Sequence, residues 1–204
     1  MNNLNQYIQE KLNKTKSSFM LEKLKIGKTS FMFEKLKISS KSKINEKIKP
    51  INEEDLKKII LKKLENKETD FNDINISSVK DLSYLFEEQN ISEIDISEWD
   101  VSHVESMRGM FQNCRYLKTP GDLSKWNVSN VEDMSWMFNG CQCLTKLGDL
   151  QNWEINGTKM KCMFQNCKRL RNLGNIKHWR PKESNWDIFM SCGVPHSNLP
   201  YQKI

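Results

Sequence analysis

Residues 95–117 read DISEWDVSHVESMRGMFQNCRYL, and residues 122–144 read DLSKWNVSNVEDMSWMFNGCQCL. The two stretches keep Asp, Trp, two Val, two Met, Phe and Cys in one register. Residues 149–170, DLQNWEINGTKMKCMFQNCKRL, repeat the pattern with one deletion, and residues 175–192, NIKHWRPKESNWDIFMSC, carry it in degraded form. Upstream, 73–86 reads DINISSVKDLSYLF, with Ile74 where Trp stands elsewhere, so there are about five copies. Trp99, Trp126 and Trp153 are 27 apart, and Trp179 follows by 26. Phe111, Phe138, Phe164 and Phe189 step by 27, 26 and 25, and Cys114, Cys141, Cys167 and Cys192 march with them. A unit this short cannot bury its own apolar face, so the copies must stack on one continuous core.

Within a unit, Ile94–Ser97 and Gly121–Ser124 are short and turn-flanked, which predicts a brief strand. Ser102 with Glu105, and Ser129 with Glu132, fit a Ser-x-x-Glu capping box that opens a helix. Val104, Met107, Phe111 and Cys114 then fall at i, i+3, i+7 and i+10, one face of a short helix, which Gly140 would end in the next copy. The expectation is an α/β, leucine-rich-repeat-like solenoid of about five strand–helix repeats over residues 72–195, with a tail over 196–204.

The pattern D-[IL]-S-x-W-[DN]-V-S-x-V-x-x-M-x-x-M-F-x-x-C strongly resembles the BspA-like leucine-rich repeat, also called DUF285 or the bacterial surface protein 26-residue repeat. The resemblance covers residues 72–192. It implies a leucine-rich-repeat-like solenoid and a non-enzymatic role in binding proteins or surfaces, often as adhesin-like proteins. Family members are commonly exported or lipid-anchored. The Met1–Gln6 segment shows neither a basic head with an apolar run nor a lipid-carrying Cys. The expected location is therefore the cytoplasm, where thiols stay reduced.

Residues 1–50 form a different segment. A twelve-residue repeat runs through QEKLNKTKSSFM (9–20), LEKLKIGKTSFM (21–32) and FEKLKISSKSKI (33–44). Polar breaks at Gly27–Ser30 and Ser39–Ser42 favour short helices or flexible linkers over one long helix. The EKLKI-type segments resemble leaders in proteins of bacteriophages that infect gut bacteria, which would supply lysis or packaging in a virion as a route out of the cell. Residues 51–71 hold a capping helix and linker. In 52–65, NEEDLKKIILKKLE, Asn52 can cap, acids fill the first turn, and Leu56, Ile59, Ile60 and Leu64 make an apolar stripe to cover the open end of the stack.

Charge divides the chain the same way. Residues 1–70 hold 17 Lys against 10 acids, while residues 71–204 hold 15 basic residues against 16 acids. All six Cys and all six Trp lie beyond residue 98. No run of 18 apolar residues exists, so no membrane insertion is expected. Nucleic acid is a candidate partner of the Lys-rich 1–50 segment, against the plainer expectation of a solvated amphipathic face, and no Arg is present there to read bases.

The Trp, Met and Cys columns are assigned to packing, the Cys as small buried hydrophobes; a Cys114–Cys141 bridge would need an oxidising compartment. Asp95, Asp122, Asp149 and Asn175 precede each Trp. They suit turn capping better than a cation ladder, which would need six or more oxygens. His103, His178 and His196 have no nucleophile at a suggestive spacing, so no catalytic residue, metal or cofactor is expected. Two sets of positions vary while the core repeats. Tyr84 and Trp136 share a column with Gly109, Cys162 and Asp187, so packing does not set that column, and an exposed aromatic there would anchor an interface. Ser97, Glu98, Ser124, Lys125, Gln151 and Asn152, with Lys177 and His178, line the strand side. The expected function is binding a protein partner, or a cell surface, through these faces. The alternative is a phage virion or nucleic-acid-binding role for the basic segment. Oligomeric state is left open.

Overall fold

The computed structural model describes residues 47–182 and 187–200. The expectations placed on residues 1–46 lie outside this range.

The expected strand–helix repeat is not what the chain builds. Among the described residues there is one α-helix, α1 (Glu53–Glu65), two single 3-10 turns (Leu150–Asn152 and His196–Asn198), and no sheet. What links the copies is a set of isolated parallel bridges. One series runs Asp81 to Ser106, Ser106 to Asp133 and Asp133 to Lys159, and others join Asp70 to Asp95 and Glu93 to Thr119. Each repeat is thus a rung of consecutive turns, bonded to the next rung by single residues.

The segment expected to be helical shows why. Met110, Gln112 and Cys114 donate their N–H groups within the rung, to the carbonyls of Met107, Gly109 and Phe111. Met107, Gly109, Phe111 and Asn113 donate theirs across to Asp133, Ser135, Met137 and Asn139, at 2.7–2.9 Å. Alternate amides therefore serve the turn and the neighbouring rung, and no i→i−4 ladder is left. These overlapping four-residue turns still bury Met107, Met110, Phe111 and Cys114 at intervals of one, three or four residues, as a helix face does, so the sequence spacing fits both. Such turns need a left-handed residue at fixed positions. Tyr84, Gly109, Trp136 and Cys162 supply one column of positive φ, and Glu88, Asn113, Gly140 and Asn166 a second. Gly140 does not end a helix; it occupies that second column.

The capping boxes are also put to another use. Asp100 Oδ1 accepts from Ser102 N–H and Oγ–H at 3.0 and 2.7 Å. Glu105 turns to Lys80 Nζ at 2.6 Å on the preceding rung. Asp95, Asp122 and Asp149 each accept the N–H two residues on, at 2.9–3.0 Å, so these carboxylates cap their own turns.

The core is a set of files. Phe86, Phe111, Phe138, Phe164 and Phe189 stack with centroids 5.1–5.7 Å apart, and Phe71 meets Phe86 edge-on. Trp126, Trp153 and Trp179 form a second file at 6.3–6.4 Å. The α1 helix is capped by Asn52, whose Oδ1 accepts from Asp55 N–H at 2.9 Å. Its Leu56 and Ile60 are fully buried in the same core. Lys63, only 8% exposed, lies over the Phe71 ring and is held by Glu68 at 2.6 Å and Asp73 at 3.0 Å. Burial pulls this ammonium down, but the two carboxylates outweigh it and leave it above the ordinary lysine range. Upstream of α1, Ile48 pairs in parallel with Ile74, adding a partial rung.

All six thiols are free. Those of Cys114, Cys141 and Cys167 point along the stack and donate to the carbonyls of Phe86, Phe111 and Phe138, at 2.8, 3.1 and 3.1 Å. Burial pushes Cys114 up to about 12, and raises Cys141 and Cys167 in the same sense. An unfolded thiol titrates at about 8.5. A group whose folded value is raised contributes its full stability below the unfolded value and loses it as pH climbs toward the folded one. The urea midpoint is therefore expected to hold steady up to about pH 8.5 and to fall above it, with a shallower fall in Cys141→Ala. Native-state alkylation should label Cys143 and Cys192, which are partly exposed, while the three inner thiols react only on unfolding. Inner-thiol labelling as fast as that of Cys143 would contradict this core.

Candidate functional site

The column of Tyr84 and Trp136 is not on a helix. It is the first left-handed position of each rung, with φ of 58° and 59° at these two residues. Non-glycine residues rarely adopt such backbone, and it turns both side chains out of the core. Both are half-buried on the outer surface of the stack.

Arg108 joins them. Its Nε donates to Tyr84 Oη at 2.8 Å, its Nη1 reaches Asp133 Oδ2 at 3.2 Å, and its guanidinium lies 4.1 Å from the centroid of the Trp136 ring. Lys161 Nζ lies 5.8 Å from the same ring. At Gly109, a β-carbon would run into the Tyr84 ring, so the glycine leaves the space that the tyrosine fills. The result is a diagonal ladder across successive rungs, from Tyr84 through Arg108 and Trp136 to Lys161. Cys162 continues it, with Sγ 3.8 Å from Asp187 Oδ2.

The electrostatics follow. The Tyr84 hydroxyl holds the Arg108 guanidinium above its ordinary value, burial opposes this, and Asp133 adds to it. Burial pushes the Asp133 carboxyl up, but hydrogen bonds from Ser135 and Arg108 more than reverse this and hold it below the usual carboxylate range. Burial, reinforced by the Asp187 charge, raises the Cys162 thiol. The ladder is a cation–aromatic array in which Arg108 is paired with Asp133 and Lys161 lies over the Trp136 ring.

The strand-side set lies on turns. Ser97 and Ser124 are half-buried, and their N–H groups go to Asp95 and Asp122. Glu98, Lys125, Gln151 and Asn152 are exposed, and Glu98 N–H goes to Asn72 Oδ1 on the rung before, at 2.8 Å. Gln151 and Asn152 sit in the 3-10 turn Leu150–Asn152. The structure gathers Tyr84 and Trp136 into one array. The other six are distributed one pair per rung.

Sequence reasoning missed Arg108, Asp133 and Lys161. A signal was present: a glycine in the same column as two large aromatics marks a left-handed backbone position rather than a helix surface.

The family model described as a Mycoplasma protein of unknown function, DUF285, matches residues 30–179. The chain belongs to the DUF285 family. No curated protein matches it, and no solved structure does. The DUF285 match takes in the whole ladder from Tyr84 to Lys161 and extends upstream into the basic segment. Among the described residues of this DUF285 chain, no helix is long and apolar enough to cross a membrane.

Proposed function

We propose that this DUF285 chain is a non-enzymatic binding protein that engages a protein partner through the cation–aromatic ladder, with the polar turns bearing Ser97, Glu98, Ser124, Lys125, Gln151 and Asn152 as further contact positions. One observation carries the reading: Tyr84 and Trp136 stand at a backbone position that costs energy for any residue but glycine, and their rings face outward. Their rings are not needed to fill the core, which is built from Phe, Trp and Met files elsewhere. Large aromatics flanked by Arg are the side chains that concentrate binding energy at protein interfaces. Arg108 is pre-positioned by Tyr84 and Asp133, so less side-chain entropy is lost on binding.

Trp136→Gly removes the ring and relieves the left-handed backbone, so it should leave or raise stability while weakening partner capture. A protein recovered with the full chain from host extract, then purified, should bind the variant at least tenfold more weakly, the loss of about 1.4 kcal/mol typical of an interface anchor. Equal binding by both chains would remove the ladder from the interface.

A further inference from the structure

The stacking register sorts the charges by side. Residues 95–105, 122–133 and 149–159, the first half of three successive rungs, hold nine carboxylates and two lysines. Residues 106–121, 134–148 and 160–174, the return half of the same rungs, hold eight lysines and arginines and no carboxylate. A closed coil carries its two halves on opposite sides of the core, so the stack has an acidic side and a basic side. Arg108 and Lys161 belong to the ladder, and the other six cations gather beyond it.

Their register is fixed by the core. Leu117, Leu144 and Leu170 are buried in one column, and Cys143 and Thr145 donate their N–H groups to Arg115 O and Lys118 O at 3.2 and 3.0 Å. Arg115 and Lys168 therefore share one surface column, Tyr116 and Arg169 the next, and Lys118 and Arg171 the one after. All six side chains are exposed, Tyr116 at 61%. Lys118 is paired with Glu93 at the margin of the face, at 3.4 Å. Among the described residues Arg115, Lys146, Lys168 and Arg169 are in no ion pair. Arg171 Nη1 donates to Lys168 O and Leu170 O at 2.6 and 3.2 Å, which holds that guanidinium at the surface.

We propose that this face binds a single-stranded nucleic acid, with phosphates along the two outer columns and one base stacked on Tyr116 between them. Cation rows flanking an exposed ring supply what a strand needs, charge for its backbone and a platform for a base of any identity. Two rung steps of about 4.8 Å make the rows about 10 Å long, room for about three nucleotides at about 3.4 Å each. A duplex is not accommodated, because among the described residues no helix or two-stranded ribbon projects from this face to enter a groove. An anionic membrane fits less well, because Tyr116 is the one large hydrophobic that the described part of this face exposes, and membrane binding scales with buried apolar area. The inference does not rest on the ladder or on its protein partner.

Fluorescence anisotropy tests it, with a labelled oligothymidylate of about twelve nucleotides titrated with the full chain. Tyr116→Ala should weaken binding about tenfold, and Tyr116→Phe, which keeps the ring, should bind as the native chain does. Lys168→Gln/Arg169→Gln should reduce the steepness of log affinity against log salt by about 1.4, the share of two phosphate contacts on a single strand. Lys57→Gln/Lys182→Gln removes the same charge from exposed sites off this face, and should leave that steepness unchanged. All the altered side chains are exposed and, among the described residues, outside every ion pair, so each variant should fold as the native chain does. Equal salt dependence in the two double variants would move the binding off this face, onto the Lys-rich 1–50 segment, and overturn the proposal. So would native affinity in Tyr116→Ala, no binding of the strand by the native chain at low salt, or tighter binding of phosphatidylserine vesicles or polyglutamate than of the strand.

Discussion

Phe138→Ala should lower the unfolding free energy by about 3–5 kcal/mol, the cost of emptying a fully packed aromatic site. The ring is fully buried between Phe111 at 5.3 Å and Phe164 at 5.7 Å, near-parallel to both. Its removal forfeits two stacked pairs and opens a cavity that the rungs cannot close. Each rung is pinned to the next by backbone bonds, such as Phe138 N–H to Met163 O at 3.0 Å. A domain typically has about 5–15 kcal/mol in all, so much of the stability goes with this one ring. Phe189→Ala is the control. It sits last in the file, 9% exposed, with one stacked neighbour, and should cost clearly less. Urea unfolding followed by tryptophan fluorescence reads both. A Phe138→Ala cost at or below that of Phe189→Ala would mean that the file is not the spine of the fold.

Gly148→Ala should cost about 2–5 kcal/mol, from two sources that can be separated. The backbone there has φ +87°, a left-handed conformation that penalises any β-carbon by about 1–2 kcal/mol. In addition, the new β-carbon would lie on Asp122 Oδ1 of the preceding rung. That oxygen holds Ser124 N–H at 2.9 Å, so displacing it orphans a turn amide for about 1–3 kcal/mol. Gly157→Ala isolates the first term: its φ is +77°, and nothing lies within 4 Å of where a β-carbon would go. Gly148→Ala should therefore be the more damaging by the cost of the lost turn bond. In the Asp122→Ala background the difference between the two glycine sites should shrink, because the oxygen that the methyl strikes has gone. Equal costs at both glycines in the native background would show that the rungs do not approach as closely as the structure has them.

The repeat register could be read from the residues alone, and so could the identity of the core. Trp, Met, Phe and Cys recur at the repeat interval because the same buried place recurs, and that recurrence alone puts these columns inward. The helix over 53–65 was equally legible, since its cap, charge order and apolar stripe are all local. The rung's backbone was not. Val104, Met107, Phe111 and Cys114 fit a helix by spacing, yet their amides divide between the turn and the next rung. Spacing reports which side chains face inward, and says nothing of where an amide hydrogen goes.

The candidate site divides along the same line. That Tyr84 and Trp136 occupy a column free of packing demands followed from the company they keep, a glycine and a cysteine at the matching places. Arg108 belongs to a different column, and only the offset between neighbouring rungs swings its guanidinium over one ring and onto the hydroxyl of the other. The chain's own alphabet thus determined the period, the buried set and the DUF285 membership, because identical environments select identical side chains. The choice of turns over helices, and the meeting of Tyr84, Arg108 and Trp136, were decided by the stack, because backbone bonds between rungs are made by residues 25 or so positions apart, and no window of local sequence contains both partners.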